Sequence, residues 1–301
     1  MPPECRPQPP GSAVPIGNFA GRTGTLPHTL PTLARLFAPL LALVLVACTA
    51  TAPPNALAGA PAGASTADTA RVLLAALDSE ALYTIAGGLK PVSEGFWHGN
   101  VRSDQPDLAA VSAARAALAP WRNDTLWADV HVFHQAHDGK RAARGYVVDR
   151  RALAELLRAQ AAFFAPFGLG PDTHPAEVMA VVERLPKLDR HRALGLLFGY
   201  PQHAIEFFLA AEAAREAGTE PAPRRFVQIP AFVSPTGRFV YAVGKDDPER
   251  AEDRELAADA APRLQRYREL RATIREDDAE ALIALTRQLQ QEFAPAVAHH
   301  R

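Results

Sequence analysis

Residues 126–148 read LWADVHVFHQAHDGKRAARGYVV. Apolar and polar side chains alternate from Leu126 to Gln135, Asp138-Gly139 supplies the two residues that most readily enter a tight turn, and Ala142 to Val148 resumes the pattern. The segment predicts a β-hairpin. With Asp138 and Gly139 at the turn, His131 falls opposite Tyr146, Asp129 opposite Val148 and Phe133 opposite Arg144, all on one face with Trp127. The other face carries Val130, Val132 and Val147 and is expected to meet the core, because successive strand residues point to opposite sides.

Working outward, Phe226 to Val233 and Arg238 to Val243 flank Ser234-Pro235-Thr236-Gly237 and predict a second hairpin. The rest of the folded part reads as helix. Asp68 is a candidate cap for a helix ending at Gly87-Gly88, and a second helix is expected near Asp107 to Leu118. Asp149 would cap a helix through Phe164, and others are expected over 175–185, 190–199 after Asp189, and 201–217, the last opened by Pro201 and closed by Gly218. Asp247-Pro248 would open a long charged helix kinked or broken at Pro262, and Asp278 would open a final one to Phe293. The expected class is α+β: a mainly helical single domain, residues 67–295, with a small antiparallel sheet built from two β-hairpins and a disordered tail at 296–301. Hairpins separated by helices do not build a parallel sheet, which argues against a dinucleotide-binding fold.

The chain has 301 residues, with 32 basic and 33 acidic side chains. Such a balance provides no field that would attract nucleic acid, and no apolar run is long enough to span a bilayer. Upstream of the folded part, Arg35 precedes the apolar run Leu36 to Ala47, which closes on Leu45-Val46-Ala47-Cys48. Twelve apolar residues are too few for a span and have the length of a secretory signal's apolar region. This ending resembles the lipobox of bacterial lipoprotein precursors. The resemblance implies cleavage before Cys48, attachment of diacylglycerol to its thiol and acylation of its amino group, with membrane attachment through the lipid as the partner interaction. Two or more acyl chains give stable anchoring, because each buried methylene contributes about 0.8 kcal/mol. Thr49 stands where that class tends to place Asp for inner-membrane retention, so the resemblance favours the outer membrane.

Residues 1–47 are then expected to be absent from the mature protein, and their loss, with Arg6, Arg22, Arg35 and Glu4, shifts the formal charge from -1 to -3. The segment 1–30, with Pro2, Pro3, Pro7, Pro9 and Pro10, fits a leader poorly and is expected to be disordered or untranslated. Residues 48–66 would be the lipidated cysteine and a tether, since TATAPPNALAGAPAGAST after Cys48 offers almost no charge or large apolar side chain. About 18 residues of such chain reach roughly 20 to 25 Å. The two cysteines, Cys5 and Cys48, leave no thiol for a disulfide, a zinc site or a nucleophile in the mature domain.

Three constellations could carry chemistry. On the first hairpin, Asp129, His131 and Tyr146 would place an imidazole oriented by a carboxylate beside a phenol for acid or base work, or form an ordinary half-exposed sheet surface. His203 and Glu206, three residues apart on an apolar helix, would bind a metal or share a proton. Alternatively Glu206 would pair with Arg190, His191 or Arg192. Residues 87–98, read as a loop, contain Lys90, Ser93, Glu94, Trp97 and His98, which would form a binding loop or a packed connector. No nucleotide-binding glycine loop, Gly-x-Ser-x-Gly elbow or His-Glu-x-x-His pair is present. The expectation is therefore a periplasmic lipoprotein with a binding or envelope-support role and no cofactor. A periplasmic hydrolase or an enzyme using a divalent metal is the alternative, and a small molecule or an envelope protein is the possible partner.

Overall fold

The computed structural model describes residues 64–233 and 239–294. Cys48, the stretch through residue 63, the turn at 234–237 and the tail at 296–301 lie outside the described residues.

Ser65 opens the domain. Its hydroxyl accepts from the Asp68 N–H and donates to the Asp68 carboxylate at 2.7 Å, so Ser65 rather than Asp68 caps the first described helix. Helix α1 (Thr66–Leu77) stops at Asp78, and a turn separates it from the single turn α2 (Leu82–Ile85) where one continuous helix was expected. At the break the Asp78 carboxylate turns inward, accepting from Tyr267 and standing 3.5 Å from Arg271.

Strand β1 (Val92–Arg102) follows, and it overturns the reading of 87–98 as a loop. Gly95, at φ 86°, interrupts the alternation that marks a strand in the sequence. After α3 (Ala109–Leu118) come β2 (Leu126–His137) and β3 (Lys140–Asp149), the expected hairpin with Asp138 and Gly139 at positive φ. The sheet order is β1-β3-β2, all antiparallel.

Asp149 caps α4 (Arg150–Ala159) through the Ala152 N–H; the helix breaks at Gln160 before the short α5 (Ala161–Phe164). Next are α6 (Pro175–Arg184), α7 (Lys187–Leu197) and α8 (Gln202–Glu216). The second hairpin, β4 (Arg224–Ile229) with β5 (Phe239–Gly244), forms its own two-stranded sheet rather than extending the first. Helix α9 (Ala251–Arg271) runs unbroken through Pro262, and α10 (Ala279–Glu292) is capped by Asp278. Pro262 is exposed, so the carbonyl it fails to bond faces water, while Ala260, Leu264 and Tyr267 hold the turns on either side in the core. The class is α+β and mainly helical, as the sequence indicates.

Three apolar clusters lie around the larger sheet. One face, with Ala128, Val130, Ala143 and Val147, packs on α1, α3, α9 and α10. The opposite face, with Val92, Tyr146 and Val148, is covered by α4, α6 and α7. A third cluster lies beneath the β4–β5 ribbon, with Tyr83, Phe239 and Tyr241 against α8 and α9.

Candidate functional site

The register of the first hairpin decides which of its polar residues meet. Next to the turn His137 pairs with Lys140 and Ala136 with Arg141, as the turn chemistry predicts, but from Val132 inward β2 has slipped by two residues: His131 lies opposite Arg144 and Asp129 opposite Tyr146. Between Val132 and Ala136 the strand uses two more residues than β3 does. An even slip keeps every side chain on its expected face while changing its partner, and bulges of this kind bend a strand and redirect its side chains. A matching irregularity lies between Glu94 and His98 of β1.

One consequence is that Asp129 does not orient His131. Its carboxylate is held by Arg115 at 3.0 Å and Arg122 at 2.9 Å along the free edge of β2. His131 instead places Nε2 2.9 Å from Glu183 Oε2 at the end of α6, and its ring meets Phe133 edge-on at 4.8 Å. The other oxygen of Glu183 accepts the His134 N–H, a main-chain donor that the bulge releases from the ladder. Arg144 extends the row, bonding Glu94 at 2.8 Å with its guanidinium over the Phe133 ring. Tyr146 is buried and accepts from Trp127 Nε1 at 3.3 Å; burial pushes its hydroxyl pKa up to about 12, so it stays protonated. The pocket face expected at Asp129, His131 and Tyr146 thus divides into an edge ion pair, a half-buried histidine–carboxylate pair and a core tyrosine.

Beside the His131–Glu183 pair is an open cleft of about 600 Å³ between the β2 bulge and the junction of α6 and α7, lined by His134, Gln135, Glu183, Arg184, Leu185 and Arg190. Arg190 donates to the Glu183 carbonyl at 3.2 Å.

The residues of 87–98 separate in the same way. Lys90 is completely buried, its ammonium 2.9 Å from Glu80 Oε2 without hydrogen-bond alignment, 4.5 Å from the Phe239 ring centre and 5.6 Å from that of Phe198. Burial drives its pKa down, and the nearby Glu80 and Glu94 carboxylates oppose that shift. The chain is tight here: a Cβ on Gly199 would stand 2.9 Å from the Leu89 carbonyl. Ser93 is buried and shares a hydrogen bond with Thr84 at 2.8 Å. Trp97 packs on the first core, and His98 is exposed.

His203 and Glu206 point apart, which corrects their reading as a metal- or proton-sharing pair. Glu206 is exposed and accepts from Gln202 at 2.9 Å, with no ion pair to Arg190, His191 or Arg192. His203 turns inward, where Nε2 lies 3.2 Å from Asp253, itself the acceptor of the Tyr241 hydroxyl at 2.6 Å. These buried groups fasten α8 and β5 to the start of α9. Among the described residues no group of three or more His, Cys, Asp or Glu side chains is placed to hold a metal ion, and no helix is long and apolar enough to cross a membrane.

Glu183, Glu80 and Arg184, which complete these constellations, lie outside the sequence reading. Glu183 is 52 residues from His131 with no motif linking them, and only the packing of α6 on β2 brings them together. The chain shows no match to any protein-family model, to any curated protein or to any solved structure.

Proposed function

We propose that this chain is a lipid-anchored protein of the bacterial envelope, attached through Cys48 on the periplasmic side, whose folded domain binds or supports other envelope components instead of catalysing a reaction. The observation that carries the proposal is Leu45-Val46-Ala47-Cys48 at the end of a twelve-residue apolar run, followed by a stretch too poor in large apolar residues to order itself. Among the described residues the first helix begins at Thr66, close to where the sequence pattern becomes periodic. Two of the residues that suggested catalysis, Asp129 and Glu206, are engaged in local pairs, which speaks for the non-catalytic reading. Thr49 favours the outer membrane as the anchoring surface.

Expressed in a diderm bacterium fed radiolabelled palmitate, the chain is expected to take up label and sediment with membranes. Cys48→Ser should abolish labelling and release the domain into the soluble fraction. Persistent labelling of the variant rejects the anchor.

A further inference from the structure

We propose that the cleft between the β2 bulge and the α6–α7 junction binds a small organic anion, one bearing a carboxylate or a phosphate. The proposal does not depend on the lipid anchor. It rests on how the cleft's charges are disposed. Glu183 is the one carboxylate in the wall, and both of its oxygens are occupied: one by the His134 N–H, the other by His131 Nε2 at 2.9 Å. The carboxylate is therefore turned into the protein.

The two guanidiniums are in the opposite situation. Arg184 is exposed at the end of α6, and neither it nor Arg190 forms an ion pair with a carboxylate among the described residues. Arg190 uses one Nη1–H on the Glu183 carbonyl, which fixes the side chain along the wall and leaves its remaining N–H donors for a ligand. The one neighbouring lysine, Lys187, is committed elsewhere, 2.9 Å from Glu212 and 3.2 Å from Glu216. Two guanidinium charges thus stand against one engaged carboxylate. A guanidinium presents a planar fork that matches carboxylate and phosphate oxygens.

Shape agrees with charge. A volume of about 600 Å³ is in the range of small-molecule sites, and the buried Leu185 gives the wall an apolar patch beside its donors. His134 and Gln135, displaced from the ladder by the bulge, complete the far side. The bulge thereby builds the wall in addition to altering the register.

The test uses the full-length chain in detergent, with backbone amide NMR shifts followed during titration with inorganic phosphate and, separately, with succinate. At least one anion is expected to shift amides confined to residues 132–136 and 183–191, saturably and below about 10 mM, while chloride at matched ionic strength does not. Arg184→Gln, on an exposed residue, should weaken that binding about tenfold, as should Arg190→Met, with the rest of the spectrum unchanged. The arm that saturates distinguishes phosphate from carboxylate recognition. Absence of saturable shifts with both anions, shifts spread over the whole surface, or affinity unchanged in Arg184→Gln with Arg190→Met likewise unaffected would each overturn the proposal.

Discussion

Burial of Lys90 against two phenylalanine rings sets a pH dependence of unusual sign. Desolvation lowers its folded-state pKa below the ordinary lysine value of about 10.4, so in the window between those two pKa values the unfolded chain binds more protons than the folded one. Stability contributed by this group rises with pH across the window and is lost as pH falls through the folded value. Urea unfolding followed from pH 7 to pH 10 should show this as an upward slope that Lys90→Met flattens; equal slopes in the two proteins would contradict it. The sequence placed Lys90 among chemically varied neighbours but gave no sign of its burial. A lysine is almost never fully enclosed unless paired, and its pair, Glu80, stands across a turn that helical periodicity did not show. His131 illustrates the complementary failure: its face was legible from alternation, while its partner, on another element, was not.

At the scale of elements, the turns that require glycine were legible where their neighbours were. Asp138-Gly139 announced its hairpin, and Gly87-Gly88 announced the end of a helix. Both Gly88 and Gly139 have positive φ, at 64° and 70°. They differ in surroundings: a Cβ on Gly139 meets nothing within 4 Å, while one on Gly88 would stand 2.7 Å from the Asp149 carboxylate that caps α4. Gly139→Ala is expected to cost about 1 kcal/mol, for backbone strain alone. Gly88→Ala should cost roughly 1 kcal/mol more, because the cap must move as well. Urea midpoints of the two variants check the order, and equal losses would reject it. Strand β1 and the continuity of α9 were illegible for a common reason. Pro262 reads as a breaker and Gly95 interrupts the strand alternation, and each is tolerated because neighbouring residues on the same element are anchored in the core. The slip in β2 has no sequence signature, since an even displacement leaves the alternation of faces intact.

Across the whole molecule, the helical majority and the antiparallel pairing followed from periodicity, but the division of the sheet between two apolar clusters did not. Periodicity tells which side of a strand is apolar, and both sides of β3 are covered. The first cluster joins the two extremes of the described chain, with Leu73 and Leu77 of α1 against Leu282, Leu285 and Leu289 of α10. Tyr267 of α9 reinforces that closure by donating to Asp78 at 2.5 Å, and Arg271 stands 3.5 Å from the same carboxylate. Burial raises the Asp78 pKa, against the opposing influence of both partners. Tyr267→Phe is expected to lower global stability by about 1 to 3 kcal/mol, since it strips a buried carboxylate of its donor. A single cooperative urea transition shifted to lower midpoint is the expected result, and an unchanged midpoint would contradict it.

The meeting of α1 with α10 also sets the order of events during synthesis. One wall over α1 arrives late, because the leucines of α10 are translated roughly 200 residues later, and loop closure over such a span must precede the contacts that reward it. Until α10 has left the ribosome, Leu73 and Leu77 lack the α10 side of their cover, with α3 and β1 supplying the rest. The nascent chain therefore carries an incompletely covered apolar face for much of its translation, the kind of surface that chaperones exist to shield.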